Sequence, residues 1–322
     1  MKKHGDYFLN IFIGGRGTGK TYSALKGVIL KGSPFMYVRR TETELANCCN
    51  KAYNPFKTLN TDMERNIELV SNADSYIIKE NDDNIGVAAA LSTFGKFRSA
   101  DFNEIDYIIF DEFINTNPRQ TVKNEADLFF NLLETVGRNR ELQGKKPLKI
   151  ILLSNSNTIN TDILATLKLA EVIRIMKEKG DEIYIDKDRG ILISILKSAK
   201  FKEQKSKTAL YKLTKGTKYN EMALENEFTD MVIEDVKKVD YRRLLPLVAI
   251  NDIYIYDIKN SDKIYVTYRK ADVYVYDNSN LKKFKAVYGS YIQNKFYNKK
   301  ILYSDYDIKN GLFNTLEIKI KT

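Results

Sequence analysis

The 322-residue sequence predicts an α/β fold whose main domain is built on a mostly parallel sheet covered on both faces, followed by a small α+β domain. Three observations predict it. Short apolar runs alternate with helix-length segments through the first half, and strands that read as continuous apolar runs belong to sheets buried on both faces. Past residue 180 the pattern changes to alternation at period two between Asn/Asp/Ser turns, which is the pattern of an antiparallel meander. The chain is also long enough for two cores.

The elements follow in order. Phe8–Ile13 is an apolar run that ends in glycines and reads as a buried strand. Thr21–Leu30 has helical character, Pro34–Arg39 is a second strand and Glu42–Ala52 a second helix. Tyr76–Lys79 and Val87–Leu91 read as short strands, and Asp106–Phe110 as an apolar strand running into two acids. Glu125–Gly137 carries Leu128, Phe129, Leu132, Leu133 and Val136 on one side, at the spacing of an amphipathic helix. Lys149–Ser154 is another buried strand. Glu182–Ile185 and Ile191–Leu196 pair as a hairpin around Lys187–Gly190. Leu247–Ile258, Lys263–Arg269 and Asp272–Tyr276 form the meander, and the tail adds a tyrosine-rich helix and a last strand, Thr315–Ile320. The domains expected are 1–197, a linker at 198–234, and a basic domain at 235–322.

The net charge is +10 with a pI near 9.2. Residues 235–322 hold 17 Lys and Arg against 10 Asp and Glu, a surplus of seven that makes up most of the excess. Such a balance points to an anionic partner, nucleic acid first, with plain solubility as the alternative. Cys48 and Cys49 are the two cysteines and His4 the one histidine. Zinc sites and histidine-based acid–base chemistry therefore have no ligand set, and two adjacent cysteines fit a reducing compartment. The apolar run after Met1 ends in a glycine loop too soon for a signal peptide. No stretch reaches the roughly twenty apolar residues of a membrane span, so no membrane partner is expected.

Gly14-Gly15-Arg16-Gly17-Thr18-Gly19-Lys20-Thr21 matches G-x-x-x-x-G-K-[ST], with a strand before it and a helix after it. Glycines let the loop curl so that its N–H groups face phosphate oxygens, and the helix start adds positive potential. Lys20 would reach the β and γ phosphates of ATP, and the Thr21 hydroxyl would ligate Mg2+. Arg16 faces either the γ phosphate, solvent or a neighbouring subunit. Asp111, at the end of the next acidic strand, would hold Mg2+ through water, and Glu112 would orient or deprotonate the attacking water. Asn155, at the end of the Lys149–Ser154 strand, is either a γ-phosphate sensor or a turn former. Arg138 and Arg140 are either transition-state cations or charges that offset a helix dipole. On the loop alone a P-loop kinase or nucleotide switch, or a nucleotide-binding pore or scaffold without turnover, are the rivals. Glu112 and the basic second domain argue against the first. The intact set Lys20, Thr21, Asp111 and Glu112 argues against the second.

Taken in order, NIFIGGRGTGKTYSA at 10–24, FMYVRRTETEL at 35–45, YIIFDEFI at 107–114, LLETVGRNRE at 132–141, LLSN at 152–155 and KGTKYNEMALENEF at 215–228 resemble the phi29-type phage DNA-packaging (encapsidation) ATPases, of the terminase-like additional-strand P-loop family. Arg39-Arg40 and the segment 216–228 carry most of that specificity. The resemblance covers the N-terminal two-thirds well and the last ninety residues only in texture. It implies an ATPase that pumps double-stranded DNA through a homo-oligomeric ring, of five subunits, at the capsid portal. It also implies action in the host cytoplasm, transiently at the portal vertex of the procapsid, and absence from the mature virion. A structural packaging RNA is a partner of some relatives. By the same resemblance Arg138 is the finger supplied in trans, Arg98 is a second basic residue reaching a neighbour's nucleotide, and the C-terminal domain is a degenerate RNase H-like fold that binds DNA. An active nuclease of that type needs clustered acids for two metals. Here Asp252, Asp257, Asp262, Asp272 and Asp277 are scattered over apparent turns, so no nuclease activity is expected.

Overall fold

Buried apolar runs that alternate with helices are what assembles the larger part of the chain. The computed structural model describes residues 7–15, 17–72, 75–97, 102–114, 122–155, 161–196, 203, 206–217, 235–237, 239–304 and 306–316. They divide into two units, Met1–Thr158 with Met176–Thr229, and Ile159–Ile175 with Asp230–Thr322.

The first unit is organised by a nine-stranded sheet. Its strands are β1 (Leu9–Gly14), β2 (Phe35–Arg39), β3 (Ile67–Ser71), β4 (Tyr76–Glu80), β5 (Asp83–Ala90), β6 (Tyr107–Asp111), β7 (Lys149–Ser154), β8 (Ile183–Asp186) and β9 (Ile191–Leu196), in the spatial order 3-4-5-2-6-7-1-9-8. The run 5-2-6-7-1-9 is parallel throughout. The pairs β3–β4, β4–β5 and β8–β9 are antiparallel and sit at the two edges. β6 is buried at every position and β7 at all but its first, as all-apolar strands require. Helices α1 (Lys20–Ile29), α2 (Glu42–Cys48) and α3 (Lys57–Met63) cover one core, built on Leu25, Val28, Phe35, Tyr37, Leu45, Phe56 and Ile109. α4 (Glu125–Gly137) buries Ala126, Phe129, Leu132 and Val136, and its Phe129 ring lies 6.1 Å from Phe110 of β6. Among the described residues no helix is long and apolar enough to cross a membrane.

The second unit carries β10 (Leu244–Ile250), β11 (Ile253–Ile258), β12 (Ile264–Thr267), β13 (Val275–Tyr276) and β14 (Ile301–Tyr303), in the order 13-10-11-12-14. β10, β11 and β12 form the antiparallel meander. Helices at Ser290–Tyr297 and Tyr306–Leu316 contribute Ile292, Ile308 and Leu312 to a core with Ile255, Val266 and Tyr303.

Several sequence expectations change here. Leu247–Ile258 is two strands, because Asn251 takes a left-handed φ of 53° and reverses the chain. β13 lies parallel to β10, so it does not continue the meander. Thr315 and Leu316 end a helix; the rest of the strand expected at 315–320 lies outside the described residues. The segment Ile159–Ile175, expected in the first domain, groups with the second unit. Its Ile163 and Leu164 are fully buried on the short helix Asp162–Thr166, which packs on Tyr306–Leu316. α3 and β3 went unread, since a seven-residue helix and a five-residue strand carry too few periods to show.

Candidate nucleotide site

All six parallel strands end at one edge of the sheet, and that geometry gathers the site. β7 lies between β1 and β6, so one extra strand separates the glycine loop from the acidic strand end. At the mouth of β1 the chain turns through Gly17 (φ 81°) and Gly19 (φ 78°), backbone that favours glycine. A Cβ on Gly14 would come within 3.0 Å of the Leu196 Cβ, so that position also has no room for a side chain.

The two helices nearest this edge start differently. α2 is closed by a capping box, in which Thr41 accepts from the Glu44 amide and Glu44 accepts from the Thr41 amide. α1 has no side-chain cap and no acid in its first turn. Its leading amides and dipole are therefore available to an anion held by the loop. The Lys20 ammonium lies over the loop, donating to the Gly14 and Gly15 carbonyls at 2.9 Å each, to Thr18 Oγ1 at 3.3 Å and to Asn155 Oδ1 at 3.1 Å.

Thr21 Oγ1 donates to both Asp111 oxygens, at 3.0 and 3.1 Å. A hydroxyl and a carboxylate at this distance are a hard-oxygen pair of the kind Mg2+ takes, beside a loop shaped for phosphate, so the residues present fit a magnesium nucleotide. The Tyr37 hydroxyl donates to Asp111 Oδ2 at 2.9 Å. Burial pushes the Asp111 carboxyl above its ordinary value of 3.8, and the Glu112 charge adds to the rise; the Arg39 charge and the Tyr37 and Thr21 hydroxyls oppose it. Burial likewise holds the Tyr37 phenol well above 10, so it remains a donor.

Glu112 follows the strand with a left-handed φ of 54°, a strained position for a side chain of this size. Its carboxylate accepts from Arg39 Nη2 at 2.7 Å, while Arg39 Nη1 lies 3.6 Å from Asp111. Arg39 thus bridges the two acids from the end of β2, the strand next to β6. In sequence, Arg39-Arg40 stands out only as a distinctive pair, with no role attached to it. The missing signal was the adjacency of β2 and β6, which no local pattern carries. Burial pushes the neighbouring Cys48 thiol up to about 11, which leaves it an inert thiol.

The two arginines after α4 separate clearly. Arg140 is buried, donates to the Ile105 carbonyl and to Lys146 O at 2.8 Å, and pairs with Asp106 at 2.7 Å. Arg138 is the exposed residue that closes α4, at φ 35°. Arg16 and Arg98 lie outside the described residues.

A model of the Podovirus DNA encapsidation protein (Gp16) family matches residues 3–307. The chain belongs to that family. It is 31% identical over 228 residues to the DNA packaging proteins of Bacillus phages PZA and phi29. That stretch is 69% of this chain and 63% of each relative, so the chain spans less than two-thirds of their length. It is 33% identical to the phage B103 DNA packaging protein over 241 residues, 72% of this chain and 69% of that one. The fold is that of two solved assemblies. One is the phi28 gp11 DNA packaging motor, with a TM-score of 0.71 at 16% identity over 99% of this chain and 97% of that one. The other is the phi29 viral genome packaging motor assembly, with a TM-score of 0.65 at 22% identity over 97% and 96%.

Proposed function

We propose that this encapsidation-family chain is the ATP-hydrolysing subunit of a ring that drives double-stranded DNA into a preformed capsid. The observation that carries the reading is the convergence of Lys20, Thr21, Asp111 and Glu112 at one sheet edge. The loop amides and Lys20 would cradle the phosphates of ATP. Thr21 and Asp111 would hold Mg2+, which when bound draws charge from the phosphate oxygens. Asn155, already on the Lys20 ammonium, would register where that ammonium sits. Glu112 would orient the attacking water and take its proton, for which Arg39 must first release the carboxylate it holds.

Arg138, exposed at the end of α4, would reach the site of a neighbouring subunit and neutralise transition-state charge there. Arg16 and Arg98 are the further basic candidates for nucleotide contacts. The lysine- and tyrosine-rich region 235–322 would hold DNA phosphates without reading bases. The names of the phage PZA, phi29 and B103 relatives support DNA as the cargo. The resemblance supports a five-membered ring at the portal of the procapsid in the host cytoplasm, with a packaging RNA as a further partner.

The test is steady-state ATP hydrolysis in the assembled motor by the wild type, Arg138→Ala, Glu112→Gln and a mixture of the two variants. Neither variant alone turns over, and the mixture recovers activity. Wild-type turnover by Arg138→Ala would remove the trans-acting finger from the reading.

A further inference from the structure

β2 delivers two arginines to different places. Arg39 holds Glu112. Arg40, the next residue, is 2% exposed, and its Nε donates to Glu125 Oε1 at 2.6 Å, where Glu125 is 6% exposed. The Arg40 carbonyl also accepts from the Ser92 amide at 3.0 Å, near the start of the 3-10 helix Leu91–Phe97. A buried ion pair seldom adds net stability over an apolar pair of equal volume, so its presence asks for another role.

Its position suggests one. Glu125 is the first residue of α4, and Arg138 closes that helix after 13 residues, a rigid span of about 20 Å. Between them, Phe129 rests on Phe110, the residue before Asp111. Beyond the helix, Arg140 is anchored to Ile105, Asp106 and Lys146, which fixes the turn that presents Arg138. α4 is thus a strut pinned at its start by Arg40, along its face by Phe110 and past its end by Arg140.

We infer that Arg40–Glu125 is a positioning pair that ties the strut, and the arginine it lends, to the end of β2 beside Arg39. The inference rests on the reading of Arg138 as a finger supplied in trans.

Mixed motors test it. Glu112→Gln subunits lend Arg138, and Arg138→Ala subunits receive it. Glu125→Gln, which keeps an oxygen for Arg40 and removes the charge, is added to one or the other. In the lender it lowers kcat by about 10²-fold, the scale of a catalytic group misplaced by an ångström, with KM for ATP unchanged. In the receiver it leaves the mixture at the parental rate. Equal loss in both placements, loss only in the receiver, or loss in neither overturns the inference. The double variant Arg40→Met/Glu125→Leu exchanges the pair for apolar contact. It keeps the parental melting temperature and remains a poor lender if the pair positions Arg138; full recovery of lending would mean the pair is only structural. If the parental mixture without any Glu125 change fails to hydrolyse ATP, the trans-acting finger itself is refuted, and the inference with it.

Discussion

Acidic residues sit near strand ends in both units of this chain, but among the described residues two of them adjoin at one sheet edge in the first unit alone. In the first, Asp111 holds Thr21 and Tyr37 by hydrogen bonds, and Arg39 bridges Asp111 to Glu112. In the second, each described acid with a partner is engaged separately. Asp257 accepts from the Tyr291 hydroxyl at 2.7 Å, Asp262 pairs with Lys300 at 2.6 Å, Asp235 pairs with Lys309 at 2.8 Å, and Asp277 caps the turn at Ser279. Among the described residues no three acid, cysteine or histidine side chains gather closely enough to hold a metal ion. The difference is topological. Parallel strands all finish at the same edge, so strand-end residues converge, whereas a meander places successive turns at opposite ends and disperses them.

The largest expected break in that comparison is Glu112→Gln. It should lower kcat for ATP by about 10²–10⁴-fold while nucleotide still binds, the usual range for losing a general base. Undiminished phosphate release would mean that the convergence at this edge is not catalytic.

Arg39→Ala sharpens the comparison through pH. In the proposed reading Mg2+ takes the ionised Asp111 carboxylate, so magnesium-dependent nucleotide affinity should climb with pH above the carboxyl's ordinary value of 3.8. Arg39 opposes the rise caused by burial, so its removal should move the midpoint of that climb upward and weaken binding on its acid side. Stability runs the other way. A carboxyl whose folded pKa is raised contributes fully below its unfolded value, and that contribution fades as pH rises through the folded one. A midpoint unmoved in a fluorescent-nucleotide titration would separate Arg39 from Asp111.

The smallest effect belongs to the second unit. Tyr291→Phe removes one hydrogen bond to Asp257 and should cost about 0.5–1.5 kcal/mol in urea unfolding, with ATP turnover at the wild-type rate. A large loss of turnover would mean that the acids of this unit feed the nucleotide site after all.

Much of this was legible in contiguous stretches. The loop at 14–21, the strand ending in Asp111-Glu112, and the extents of α4 and β7 come from periodicity and local motifs, which the chain carries within one element. The same stretches single out Lys20, Thr21, Asp111 and Glu112, and the fold brings Thr21 within hydrogen-bond distance of Asp111. Arg39 was visible as a residue but not as a partner, since Glu112 lies 73 positions away. Arg40 and Glu125 are separated by 85. Arg138 and Arg140 look alike in sequence, and only the carbonyls and the acid that surround Arg140 assign it to the scaffold. The sequence by itself thus determined the chemistry available and the elements that carry it. The tertiary structure alone decided which arginine meets which acid, because ion pairing and burial depend on distance through space, which strand order sets and local pattern does not.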